Sequence, residues 1–319
     1  MKRRILSAII AGSLIASTLT LSACQSEKSL ETTDLMTGIK AASHETVKPD
    51  DAFKNAYGNF SVELLKKCFD GRSNTLISPL SVSTALTMTA NGANGQTKRA
   101  FDNDTCKEIN SWVNDNTDGM INNILDSIPD EAIMYLVNAV SFDAEWDIIY
   151  RENDIADGKF TNSEDKLMKV TMLCSDESIY LEDEDCKGFI KQYKDGKYSF
   201  AAILPGGDIK SFITSLSGEK LSKILGSAED CIVEVKLPKF GYEYSSKLND
   251  ALSALGMPTA FDQNNADFSG IGKSTMGNIS IGEVIHKTKI EVNEKGTKAG
   301  AAALVEMVDE GCVIAEKQV

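Results

Sequence analysis

Between residues 50 and 70 the apolar positions Phe53, Tyr57, Phe60, Leu64 and Cys68 recur at steps of three and four, which predicts an amphipathic helix stopped by Gly71. Residues 75–78 read as a short strand that runs into Pro79. The largely apolar stretch 80–90 then predicts a buried helix, with proline at its first position and Asn91-Gly92 at its end. A third helix, capped by Asp104 or Thr105, has Ile109, Trp112 and Val113 on one side and runs to about Thr117. The period then changes. Residues 132–142 form an unbroken apolar run rich in Val, Ile and Tyr, the pattern of a central strand covered on both faces. Asp195-Gly196 is a hairpin dipeptide between two strands, Val233, Val235 and Leu237 alternate, and Leu248, Ala251, Leu252 and Leu255 make a helix face closed by Gly256. A long β-rich stretch occupies 279–292. Helices come early and strands late, often joined as hairpins, so the predicted class is α+β with a mostly antiparallel sheet.

The segment after that strand, EVNEKGTKAGAAALVEMV (291–308), reads in two ways. Alanine has the highest helix propensity, and Leu304, Glu306 and Met307 are also good formers, so propensity alone predicts a helix. Counted by twos, Thr297, Ala299, Ala301, Ala303, Val305 and Met307 line one small, buriable face of an extended strand, with Lys298, Gly300, Leu304 and Glu306 on the other.

Composition narrows the functional classes. With 319 residues, 42% hydrophobic and 25% charged, the chain is long enough for a large core and is mostly folded protein. A net charge of −14, with no Lys/Arg cluster beyond the first four residues, argues against a nucleic-acid partner. Residues 1–23 have the layout of an export signal: Lys2, Arg3 and Arg4, an apolar run broken by Ser7, Ser13, Ser17 and Thr18, then small residues before Cys24. Residues 24–48 read as a flexible stalk and 49–319 as the folded domain. Beyond Cys24, the cysteines at 68, 106, 174, 186, 231 and 312 lack paired spacing and read as buried thiols rather than a disulfide framework.

Enzyme chemistry finds little support. His44 lies in the stalk, so a Ser-His-Asp triad would have to use His286 on a strand, and no Gly-x-Ser-x-Gly elbow presents a nucleophile. His286 reads better as a structural or partner-facing residue. Gly272-Lys273-Ser274 lacks the rest of a phosphate loop. The acidic stretch 182–185 has Lys194 where a calcium loop needs its glutamate, and reads as a solvated turn. No cofactor and no metal site are expected.

Several stretches, in order along most of the folded chain, resemble the serpins, a family of serine protease inhibitors. They are NTLISPLSVSTALTMTANGANGQT (74–97), MYLVNAVSFDAEW (134–146), FAAILPGG (200–207), VKLPKFGYEY (235–244), ADFSGI (266–271) and VIHKTKIEVNEKGTKAGAAA (284–303). The resemblance implies a suicide substrate, in which a protease cleaves an exposed reactive loop and the loop then enters the large sheet as a new strand. It assigns the loop hinge to Glu294, Gly296, Thr297, Ala299, Ala301 and Ala303. The small residues would pass beneath a covering helix, and Gly296 would act as a pivot. The receiving neighbours would be the strand at 132–142 and the one ending near Val292. About a dozen new ladder bonds at ~1 kcal/mol each would gain on the order of ten kcal/mol. The family's usual loop length puts the scissile bond near Glu310-Gly311, which suits a serine protease of subtilisin-like, elastase-like or glutamyl-specific type. Residues 21–24 resemble a bacterial lipobox, implying a lipid on Cys24 that tethers the exported protein to a membrane at the cell surface.

Two departures accompany the resemblance. Family segments are missing between Ala100 and Phe101, which leaves an unpaired edge on the large sheet, and the strands that follow the loop are missing after Val319. Without a far anchor, the hinge would insert spontaneously or dangle. A non-inhibitory lipoprotein or an inactive fragment on the same scaffold is therefore the alternative reading.

Overall fold

The computed structural model describes residues 48–91, 103–129, 131–162, 166–272, 274 and 277–309. The first helix, α1 (Asp51–Cys68), starts where expected, because the Asp50 carboxylate accepts the Phe53 N–H at 2.7 Å and caps the first turn. Gly71, at φ +71°, turns the chain away beyond the helix end. Residues 75–78 are extended but join no sheet. Instead, Ser78 N–H donates to His286 Nε2 and the Leu76 carbonyl accepts the Thr288 hydroxyl, so side chains of a neighbouring strand take the place of a ladder. Helix α2 (Pro79–Asn91) buries Val82 and Ala85 while Leu80 is exposed, so it is covered on one side rather than all round. In α3 (Asn103–Asn116) Val113 and Ile109 lie on the predicted inner face, joined by Cys106, and only Trp112 departs from it, being half exposed.

One sheet contains β1 (Ala132–Glu145), β7 (Phe240–Lys247), β8 (Ile279–Val292) and β9 (Gly296–Asp309), in the order β1-β9-β8-β7. The other contains β2 (Ile155–Thr161), β3 (Leu167–Asp183), β4 (Cys186–Gln192) and β5 (Ser199–Pro205), with β6 (Glu229–Pro238) also paired to β3. Every pairing is antiparallel, as the α+β reading requires. The chain crosses between the sheets at Pro238-Lys239, where β6 ends and β7 begins. Gly196 makes the predicted turn between β4 and β5 at φ +64°.

The apolar run of β1 predicts a place in the middle of its sheet. Among the described residues it pairs only with β9 and so borders the sheet. Its hydrophobicity has another cause: α2 packs on one face and α3 on the other, so both faces are covered although, among the described residues, one edge has no strand partner. Helices α1 and α2, with α6 (Asn249–Ala254), close a core over the β1-β9-β8 sheet around Leu64, Val82, Leu252, Val284 and Met307. On the opposite face, α3 and the turn after it close a second cluster around Val113, Ile124 and Leu304. Helices α4 (Ile209–Ser215) and α5 (Gly218–Gly226) pack with α1 on the β3/β4 end of the other sheet, around Leu181 and Ile224.

Candidate functional site

The alanine-rich segment is a strand. In the uncut chain, β9 lies between β1 and β8, paired from Glu145↔Gly296 to Ala132↔Val308 on one side and from Val292↔Thr297 to Ile279↔Asp309 on the other. Propensity favours a helix, but two ready-made edges satisfy the backbone of every residue, and the small side chains fit both faces. Residues 301–305 are at most 6% exposed, as deep as any in the molecule.

The two faces of β9 have different neighbours. Ala303, Val305 and Met307 face the core beneath α2, whereas Ala302 and Leu304 meet α3. A Cβ on Gly300 would stand 2.5 Å from Cβ of Met120, in the turn that follows α3. The face that passes under the covering helix is therefore Gly300, Ala302 and Leu304. The alternate face, with Thr297, Ala299, Ala301 and Ala303, turns away from α3, and its far end at Ala303 lies beneath α2. Gly296 also differs from expectation. Its φ is not positive, and its need for glycine comes from close approach, since a Cβ there would lie 2.1 Å from the Ala144 carbonyl oxygen.

At the near end, a tight turn joins β8 to β9. The Asn293 carboxamide oxygen accepts the Lys295 and Gly296 N–H groups, and Asn293 N–H donates to the Gly296 carbonyl. Trp146 N–H donates to Lys295 O, Tyr150 N–H to Glu294 O, and the Trp146 indole N–H to Asn293 O at 2.9 Å. Glu294 is paired with Lys239 at 2.7 Å, and that hydrogen bond holds its carboxyl below the usual range. Both side chains are partly exposed, so the pair contributes little energy and chiefly marks where β6 passes into β7.

Beneath this turn is a cluster that sequence reasoning missed. Trp146 stacks on Tyr193 with centroids 4.6 Å apart, and the buried Tyr193 hydroxyl donates to the Thr297 hydroxyl at 2.8 Å. Lys191, 4% exposed, is 2.6 Å from the Glu177 carboxylate and lies over the Tyr150 ring at 4.6 Å. A buried cation is held in this way by one carboxylate and an aromatic face. These residues come from β3, β4, the segment after β1 and the start of β9, so no local motif reveals them. Trp146 and Thr297 lie within stretches that carried the family resemblance, whereas Tyr150, Glu177, Lys191 and Tyr193 do not.

His286 is fully buried. Nε2 accepts from Ser78 N–H and Nδ1 bonds the Ala302 carbonyl at 3.0 Å, which fixes the neutral tautomer. With both nitrogens engaged by backbone, it has no free lone pair for a nucleophile, and the hydrolase reading fails on geometry. Burial pushes its pKa down to about 4, below the ordinary value of 6.5. The stabilisation from neutral His286 is thus present above pH 6.5 and is lost as pH falls toward 4, a loss of about 3 kcal/mol by acid. His286→Gln should flatten the stability profile between pH 6.5 and 4 in urea titrations, and a profile as steep as the parent's would refute the assignment.

The remaining sequence assignments are placed as follows. Glu310 and Gly311, the scissile pair, lie outside the described residues, as do Cys24 and Cys312. Cys68, Cys106, Cys174, Cys186 and Cys231 are free thiols, of which Cys106 and Cys186 are buried and Cys231 is exposed. The 182–185 turn is anchored by Asp183–Lys223 and Asp185–Lys220 ion pairs. Among the described residues no group of His, Cys, Asp and Glu is arranged to hold a metal, and no helix is long and apolar enough to cross a membrane.

A family model described as Serpin (serine protease inhibitor) matches residues 55–105 and 100–317. The two matched pieces overlap at residues 100–105. Serpin B10 of Bos taurus is 34% identical over 207 residues, covering 61% of this chain and 51% of the relative. Leukocyte elastase inhibitor of Xenopus laevis is 32% identical over 211 residues, covering 63% and 55%. The chain spans about half the length of the curated relatives it matches. Among solved structures, the thermophilic serpin tengpin in the latent state aligns with a TM-score of 0.77 at 35% identity, over 83% of this chain and 92% of that one.

Proposed function

The chain belongs to the serpin family, and from that premise we propose that it is a serine protease inhibitor that works as a suicide substrate. In this reading residues 294–310 stand outside the sheet in the active form, and the seated β9 is the low-energy end of the reaction. Glu294, Gly296 and Thr297 form the hinge, Ala299, Ala301 and Ala303 are the small residues that let it enter, and a target protease cuts near Glu310-Gly311. The observation that carries this reading is the seating of Gly296–Asp309 between β1 and β8, with two full ladders and small residues throughout its first half. Seating adds about a dozen net ladder bonds, on the order of ten kcal/mol, which is enough to drag and deform an attached enzyme. Acidic and small residues near the cut favour an elastase-like, subtilisin-like or glutamyl-specific target. The arrangement of residues 1–24 supports export and a lipid on Cys24 that holds the protein at the membrane surface.

The test is to mix freshly refolded protein with subtilisin, elastase and a glutamyl-specific protease. A covalent complex that survives SDS, with cleavage between residues 308 and 312, is expected. Clean hydrolysis with no complex would reject inhibition. One observation favours a second reading, a non-inhibitory scaffold: the strand is already seated in the uncut chain. In that case fresh and heated protein would be equally inert toward all three enzymes.

A further inference from the structure

The far end of β9 carries a carboxylate in a covered place. Glu306 is 7% exposed and stands directly between Tyr135 on β1 and Glu283 on β8, its partners in the two ladders. The Tyr135 hydroxyl donates to it at 2.7 Å. Gly282, at the bulge beside Glu283, leaves the space it needs, since a Cβ there would stand 2.8 Å from Glu306 Oε1. Glu283 is already ion-paired with Lys247 of β7, so Lys247 is shared rather than reserved for Glu306.

We infer that seating the end of β9 is coupled to proton uptake at Glu306: residues 304–309 lock into the sheet when this carboxyl, set opposite Glu283, holds a proton and loosen when it is charged. Two carboxylates opposite each other in one ladder repel, and that repulsion is strongest where water is excluded. Burial raises the Glu306 carboxyl above its ordinary value; the Tyr135 hydrogen bond and Lys247 pull it down, while Glu283 and Glu131 push it up. A group raised in the seated strand favours seating at low pH, and that advantage disappears as pH rises through the seated-state value. Tyr135 stays a protonated donor, its hydroxyl raised first by burial and then by Glu306, with Cys106 of α3 adding to the rise. His286, bonded to Ala302 O, acts in the opposite direction, so the parent's own pH profile mixes two effects. A comparison with Glu306→Gln cancels the histidine, which is the same in both proteins.

The inference concerns the seating of the strand alone, so failure to trap a protease is a separate result. Hydrogen exchange of residues 304–309 is measured in the full chain from pH 5 to 8, for the parent and Glu306→Gln, as protection factors. The variant should be better protected at pH 8, and the gap should close on acidification by up to about tenfold per pH unit where one proton is taken up per seating event. Equal protection at pH 8, or a gap that does not change with pH, overturns the inference. Should Glu306→Gln fail to fold, Glu283→Gln serves: it frees Lys247 for Glu306 and should likewise protect 304–309 at pH 8, whereas a profile identical to the parent's overturns the inference.

Discussion

Replacing Ala303 by lysine is expected to drive residues 296–309 out of the sheet. Ala303 has no exposed surface and is paired with Asn138 on one side and His286 on the other, in the core beneath α2. Its neighbours there include Met134, Ile281 and Val284, so a new ammonium would be buried among apolar side chains, at a cost of several kcal/mol. That cost is a large part of the order-of-ten kcal/mol that seating provides. Expulsion of the strand also leaves in place the separate core around Leu181, Phe212 and Ile224, to which no residue of the segment belongs. The measurement is limited proteolysis. The parent should resist cutting within 296–309, whereas the variant should be nicked there within minutes and then melt at lower temperature. Lys298→Ala is the control: its ion pair with Asp143 is exposed on both sides, and its removal should leave both readings unchanged. An Ala303→Lys protein as resistant as the parent would mean that β9 is not held as described.

Trp146→Ala should be the most destabilising truncation. The indole is wholly buried, stacks on Tyr193, meets Phe200 edge-on and donates to Asn293 O. Removing a buried tryptophan costs about 3–5 kcal/mol in packing alone. The orphaned Asn293 carbonyl adds a further ~1 kcal/mol or more. A fall in Tm on the order of ten degrees follows for a domain of this size. The local effect should be larger still, because the β8–β9 turn loses its indole contact and Tyr193 loses the ring that aims its hydroxyl at Thr297. Trp112→Ala on α3 makes the contrast. That ring is 47% exposed, and its loss should shift Tm by only a few degrees. Similar shifts for the two variants would contradict the burial pattern described for these rings.

Periodicity reads the separate elements well where structure is decided locally. Helices α1, α2 and α6 fall within a residue or two of the expected ends because capping by Asp50, Pro79 at N1 and the positive φ of Gly256 are local chemistry. Strand β8 has the predicted bounds. Periodicity fails where a partner distant in sequence decides. Residues 75–78 have strand-like composition, but His286 and Thr288 of β8 occupy their backbone. Trp112 is large and apolar and so reads as buried, yet the inner face of α3 is set by Cys106 and Val113. For the candidate site, alternate small residues are visible along 297–303, but which face meets the helix depends on the position of α3. In the seated strand Gly296 also makes a close approach to Ala144, which no single-strand pattern contains. The Lys191–Glu177 pair and its aromatic surround are illegible for the same reason: the two charges lie 14 residues apart on β3 and β4, and the Tyr150 ring over the lysine comes from the separate segment after β1.

The turn at 293–296 also governs the order of assembly. Strands β8 and β9 are joined by a few residues, whereas Ala139 and Ala302 are brought together across most of the domain. Closing the longer loop costs ~3 kcal/mol more in chain entropy, so a chain that seats β9 without first holding it outside the sheet is expected to close the hairpin first and dock it on β1 as a unit. A chain that assembles in this order never has to pry apart strands that have already closed. On the ribosome β1 is made long before the hairpin, and its buried faces must wait for β9 to emerge before the sheet is complete.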